Sequence, residues 1–274
     1  MVTFAFELSV GLVVIAGLFI LFKAFSGTGS DATATPLPLI AGPAKPAKRV
    51  LMVLTSNAKL GASGEKTGWY LPECAHPYFV FARAGFDITI ASIKGGKAPV
   101  DEGSLDMEDA DNKAFWEDAQ LKGLTENTVK LSTCRSSDFD AVFFVGGFGT
   151  MWDFPEDSDV QRLAKEVYEK GGVTSAVCHG PVALVNVKLS NGQYLVKDKE
   201  VAAFTNDEED AVKRREIVPY TCHDKLTERG ANCKQAGVFQ PCVAVAGNLI
   251  TGQNPPSAKP TAEAVVQALS PASL

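Results

Sequence analysis

The stretch Ala176-Val177-Cys178-His179-Gly180 carries the chemistry most legible in this chain. An apolar run from Gly172 to Val177 leads into the cysteine, and His179-Gly180-Pro181-Val182-Ala183-Leu184 follows as a helix start. This is the layout of a nucleophile elbow, in which a sharp strand-to-helix turn holds a reactive side chain at the tip of a sheet and small neighbours let the backbone crowd in. A cysteine at a helix N-terminus is drawn toward thiolate by the helix dipole. The competing reading is a buried structural cysteine, since free thiols commonly pack as small hydrophobes.

A nucleophile also needs a base and an oxyanion site. An ordinary thiol is only about 3% thiolate at pH 7, so complete ionisation gains about thirtyfold. A placed acid or base contributes on the order of 10²–10⁴. The proton-transfer partner therefore matters more than the thiol pKa. Glu73, between Pro72 and Cys74 on a helix predicted over 70–84, is the candidate, with a solvated surface glutamate as the alternative. The backbone N–H groups of Gly147 and His179 are the candidate oxyanion donors. Gly146-Gly147-Phe148-Gly149 does not have GxGxxG spacing and is no dinucleotide fingerprint. His76 and His223 lack partners at metal-ligand spacing and are assigned structural or surface roles; no metal site is expected.

The elements that must position these groups follow from apolar patterning. Strands are predicted at 49–56, 86–93, 141–145, 173–177, 201–204, 243–245 and 249–251, the last two flanking the hairpin signal Gly247-Asn248. Helices are predicted near 70–84, 112–121, 159–170, 208–216, 224–229 and 261–269. Alternating strands and helices give the fold class α/β: a doubly wound, mostly parallel sheet sandwiched by helices, flavodoxin-like.

The chain has 274 residues, 46% of them hydrophobic, with a net charge of -6. No basic stripe appears, which excludes a nucleic-acid partner. Six cysteines show no C-x-x-C pair, and a Cys233–Cys242 disulfide across a turn at Gln235-Ala236-Gly237 stays open. Residues 4–22 are apolar enough to span about 28 Å as a helix. Without a basic n-region they favour an uncleaved single-pass transmembrane helix over a secretory signal cleaved near Ala34. The expected organisation is an anchor over 1–24, an Ala/Pro-rich linker over 25–48 and a catalytic domain over 49–274. A membrane is thus one expected partner, through residues 4–22, and a homodimer or membrane complex another.

Residues 49–269 resemble the DJ-1/PfpI superfamily, in its heat-shock-type glyoxalase III branch. The matching motifs are Thr55-Ser56-Asn57, Gly68-Trp69-Tyr70 through Glu73 to His76-Pro77, Gly146-Gly147-x-Gly149-Thr150-Met151-Trp152-Asp153, Ala176 to Pro181, Phe204-Thr205-Asn206 and Gly252-Gln253-Asn254-Pro255. The resemblance implies a buried Glu73 beside Cys178. It also implies a triad of Cys178, His179 and a distal carboxylate that falls on Glu209, with Asp207 and Glu208 as neighbours able to substitute. It further implies a cofactor-free, glutathione-independent glyoxalase acting on a small dicarbonyl. The family histidines in the glycine loop and tail strand are replaced by Phe148 and Cys242, both expected near the pocket mouth. The alternative implied by those losses is a membrane-anchored accessory or chaperone-like subunit. An amidase or peptidase with His179 as base is a third.

Overall fold

Six consecutive apolar or aliphatic-stemmed residues open the domain as strand β1 (Arg49–Leu54). Leu51 and Val53 face one core and Val50, Met52 and Leu54 the other, so both faces of the strand are covered. The computed structural model describes residues 47–270. After β1 come α1 (Leu71–Arg83), β2 (Asp87–Ser92), α2 (Ala110–Glu117), α3 (Ala119–Glu126), β3 (Val129–Lys130) and β4 (Ala141–Phe144). Then follow α4 (Thr150–Asp153), α5 (Ser158–Glu169), β5 (Val173–Val177), β6 (Glu200–Val201), α6 (Asn206–Ala211) and α7 (Cys222–Glu228). The chain finishes with β7 (Asn232–Cys233), β8 (Val243–Ala246), β9 (Leu249–Gly252) and α8 (Ala258–Leu269).

Seven strands form one sheet in the order β3-β2-β1-β4-β5-β9-β8, parallel except for β8 against β9. The order reverses between β1 and β4, the switch point beside which ligands bind in doubly wound sheets. Helices α1, α2 and α8 cover one face, while α5 and α7 cover the other. The elbow leaves β5 at the carboxyl end of the sheet, next to the loop that leaves β4.

Several expected elements differ, for local reasons. The helix expected at 112–121 is two helices, because Asp118 breaks the first and caps the second through the N–H groups of Gln120 and Leu121. The strand expected at 201–204 is only β6, paired with β7. Beyond it, the Ala202 N–H donates to Thr251 Oγ1 and the Phe204 N–H to the Cys178 carbonyl. Cys233 therefore lies in β7 and not in a hairpin facing Cys242, and all six cysteines are free.

The membrane part of the expected architecture is corrected. The anchor expected over 1–24, and nearly all of the linker over 25–48, lie outside the described residues. Among the described residues no helix is long and apolar enough to cross a membrane. The longest, α1, has 13 residues, about 20 Å against a hydrocarbon core of about 30 Å. Over the described residues the fold class is the flavodoxin-like sandwich, without a spanning helix. The expected membrane attachment through residues 4–22 and the single-pass location therefore have no support among the described residues.

Gly180 shows what the elbow demands. A Cβ there would run into the Phe144 carbonyl of β4, whereas one on Gly123, inside α3, would meet open space. Gly180→Ala should lower stability by at least about 2 kcal/mol through overpacking. Gly123→Ala should raise it by about 0.5–1 kcal/mol through helix propensity. Urea denaturation midpoints of the two variants check this, and a neutral Gly180→Ala would count against the close approach.

Candidate active site

Cys178 follows β5 directly and has φ +60, a left-handed conformation that costs a non-glycine residue about 1–2 kcal/mol. Its backbone is pinned on both sides: the N–H donates to the Gly252 carbonyl, and the carbonyl accepts from Phe204 N–H, each at 2.9 Å. The strain is held by β9 on one side and the chain before α6 on the other. The expected helix after the elbow is a 3-10 segment, Gly180–Leu184. No lowered thiol pKa accompanies it. Burial dominates and pushes the Cys178 thiol well above its ordinary value, and the nearby Glu73 charge adds to this.

Glu73 lies in the first turn of α1 and is fully buried, which decides between the two readings of this residue. Gly146 makes the approach possible: a Cβ there would collide with Glu73 Oε2 and lie 3.0 Å from Cys178 Cβ. Neither carboxylate oxygen has a hydrogen-bond partner of normal geometry. Burial pushes the carboxyl up to about 8, against weaker opposing pulls from the Cys178 thiol and the Gly146 backbone. Two acids side by side in a dry site cannot both ionise, so their protons are coupled.

His179 is 1% exposed and completes the cluster. Its Nδ1 lies 3.3 Å from Cys178 Sγ, and its Nε2 lies 2.9 Å from Glu209 Oε1. The tautomer with the proton on Nε2 serves both contacts: Nε2–H donates to Glu209, and Nδ1 accepts from the thiol. The imidazole is also packed against two phenyl rings. Those of Phe148 and Phe204 lie tilted against it with ring centroids at 4.2 and 4.4 Å.

The acidic run at α6 separates into two duties. Thr205 and Glu208 form a capping box. Glu208 also accepts from Phe239 N–H, Gln253 Nε2 and Asn254 Nδ2. It therefore ties α6 to the tail and does not reach His179. Glu209, one residue on and equally buried, is the carboxylate that does. Gly147 has φ +107, and neither its N–H nor that of His179 donates to a backbone carbonyl. Both N–H groups are left without a backbone acceptor.

Glu73, Gly147, Cys178 and His179 line a cavity of about 80 Å³, with Glu209 behind His179. Its wall includes Phe148 but not Cys242. That thiol sits in a small separate cluster with Ala202 and Ala244, where its N–H donates to Ser257 Oγ. Sequence patterning did not assign Tyr70, Phe204, Val212, Phe239 and Pro255 to the wall. Tyr70, Phe204 and Pro255 fall inside quoted motifs, whereas nothing local marks Val212 or Phe239. Larger surface hollows, about 590 Å³ beside α5 and about 480 Å³ beside α3, contain none of the candidate chemistry. His76 pairs with Asp109 and His223 with Asp224, both away from the cavity. Asp153, pushed up to about 6 by burial, accepts from Thr55 Oγ1 and Ser56 N–H and so locks the β1 loop to α4.

Comparison with known proteins gives a consistent set of likenesses. A model of the DJ-1/PfpI family matches residues 70–268. Glyoxalase 3 of Candida albicans is 33% identical over 230 residues, covering 80% of this chain and 98% of that protein. A glutathione-independent glyoxalase of Saccharomyces cerevisiae is 32% identical over 235 residues, covering 81% and 98%. Among solved structures, the 24-kDa rapid encystment protein of Francisella tularensis superposes with a TM-score of 0.79 at 42% identity, covering 82% of this chain and all of that one.

The Glu73 environment has a measurable consequence for stability. An unfolded glutamate loses its proton near the ordinary 4.5, whereas the folded one holds it to about 8. Between those values the native state binds more protons, so this group's contribution to stability falls as pH rises from about 4.5 to 8. At pH 7 the penalty is on the order of 3 kcal/mol. Glu73→Gln should therefore be more stable than the parent, by a margin that grows from pH 5 to pH 8. A margin that is absent, or equal at both pH values in chemical denaturation, would contradict the buried, unpartnered carboxyl.

Proposed function

The chain belongs to the DJ-1/PfpI family, and from that premise we propose that it is a glutathione-independent glyoxalase. It converts methylglyoxal-type dicarbonyls to 2-hydroxy acids through a cysteine hemithioacetal. Its likeness to the Candida and Saccharomyces glyoxalases, over nearly their whole length, supports the activity. The observation that carries the mechanism is Glu73: a fully buried carboxyl with no partner, beside the nucleophile.

In this mechanism Cys178 Sγ bonds to the aldehyde carbon. The thiol proton passes to His179 Nδ1, 3.3 Å away, and then to the former aldehyde oxygen. Glu209, 2.9 Å from Nε2, stabilises the transient imidazolium. The Gly147 and His179 N–H groups stabilise the developing oxyanion. Glu73, as carboxylate, removes the hydrogen from the former aldehyde carbon and returns it to the adjacent carbon, while the hydroxyl proton on the first carbon passes to the ketone oxygen. The first carbon is thereby oxidised to a thioester and the second reduced to a carbinol. Water then cleaves the thioester, releasing the hydroxy acid and the Cys178 thiol. Overall the dicarbonyl gains one water and no external electrons. A base with pKa near 8 is scarce at pH 6 but strong once ionised. Bonding Cys178 to carbon also removes the competing acid from the site.

The intact Cys178-His179-Glu209 array would also suit an amide hydrolase. Such a triad has no use for a second buried carboxyl, and a cavity of about 80 Å³ is small for a peptide. Both features favour the glyoxalase reading.

Purified protein supplied with methylglyoxal and no glutathione should yield lactate. Cys178→Ser and Glu73→Gln should each lower kcat by on the order of 10²–10⁴. Because Glu73 and Cys178 both act deprotonated and both hold their protons above ordinary values, the rate should climb with pH through about 8. Full rate in Glu73→Gln, or no lactate from the parent, would defeat this mechanism.

A further inference from the structure

We propose that Phe148, Val212 and Phe239 select the substituent on the substrate's ketone carbon, so that this site accepts 2-oxoaldehydes with a hydrocarbon substituent and discriminates against hydroxylated ones. The inference rests on the glyoxalase reading and deepens it. The polar side chains of the cavity are Cys178, His179 and Glu73, with Tyr70 beside Glu73 at the start of α1. The rest of the side-chain lining is Phe148, Phe204, Val212, Phe239 and Pro255, an apolar wall that offers no side-chain donor or acceptor.

Two backbone donors there are already committed as well. The Phe239 N–H donates to Glu208 Oε1, and the Val212 N–H to the Glu208 carbonyl. Phe239 adopts φ +54, an uncommon conformation for a bulky residue. It remains 40% exposed while lining the cavity, as a side chain at the entrance would. Phe148 is held in the wall by its packing against His179, with ring centroids at 4.2 Å and planes tilted by 40°. Once the aldehyde carbon is on Cys178, the two carbonyl oxygens are met by Tyr70, His179 and the oxyanion N–H groups. The remaining substituent must lie against the apolar wall. A hydroxyl there loses its water partners and gains none. A hydrophobic wall rejects an added hydroxyl by on the order of ten to a hundredfold, and not more.

The test compares methylglyoxal with 3-hydroxy-2-oxopropanal, which differ by that one hydroxyl, on the full chain. Product hydroxy acid is measured for both. The parent should favour methylglyoxal at least tenfold in kcat/KM. Val212→Thr places a hydroxyl in the wall at constant shape. Phe239→Asn does so at a position whose left-handed backbone asparagine tolerates. Either change should reduce the preference to less than threefold, chiefly through a lower KM for the hydroxylated substrate. Far-ultraviolet circular dichroism and the Cys178 alkylation rate identify a variant that has merely misfolded, and the other variant then decides. Equal kcat/KM for the two substrates in the parent overturns the inference and leaves the glyoxalase reading standing. An unchanged preference in a folded Val212→Thr or Phe239→Asn also overturns it. No turnover of either substrate removes the reaction itself, and the inference with it.

Discussion

The site depends on holding a carboxyl and a thiol against each other where water does not reach. Glu73 and Cys178 are both buried; burial pushes both groups toward their neutral forms, and the Glu73 charge makes ionisation of the thiol harder still. Such a pair is unfavourable for folding, because burial penalises whichever charge forms. It persists because the surroundings leave it no room to separate. Gly146 lets the β4 loop close over both side chains, and Gly180 lets the elbow press onto Phe144. A left-handed Cys178 is then fixed by backbone hydrogen bonds to Gly252 and Phe204. The stability that the rest of the sheet supplies is what makes this arrangement sustainable.

The second support is α6, a helix of six residues carrying two buried glutamates in succession. Consecutive helical residues point about 100° apart, so Glu208 and Glu209 cannot serve the same partner. Glu208 gathers donors from the cap, the Phe239 loop and the Gln253-Asn254 tail. By anchoring those segments it sets both the orientation of α6 and the position of the cavity entrance. Glu209 can then meet His179 at hydrogen-bond distance. The imidazole has little freedom left, with two phenyl rings packed against it and an acceptor at one end. Phe148, which stands where the resemblance leads one to expect a histidine, thus becomes part of the scaffold of the reacting group.

Where expectation and structure part, the cause is competition that no local pattern reveals. The residues after Val201 have strand-like composition, yet their N–H groups find Thr251 and Cys178 in place of a ladder. The segment after the elbow begins as a helix should, but closes as a 3-10 turn and leaves desolvation to set the thiol's acidity. Cys242 was expected at the mouth from its place in the tail motif, and instead it packs against Ala202 and Ala244. The membrane-spanning helix was argued from apolar length in the N-terminal segment. The described helices, none of them long and apolar enough to cross a membrane, give it no counterpart.

The sequence alone determined the alternation of strands and helices, the apolar runs of a sheet buried on both faces, the elbow at Cys178 and the order of the motifs around it. These are properties of short windows: periodicity, turn chemistry and the crowding that only glycine permits. Only the tertiary structure decided that Glu73 is dry, that Glu209 and not Glu208 meets His179, and that Phe239 and Val212 line the cavity. Those outcomes turn on desolvation and on contacts between segments far apart in the chain. A carboxylate's surroundings, and hence its acidity and its role, exist only once β4, β5, α1 and α6 have converged on one end of the sheet.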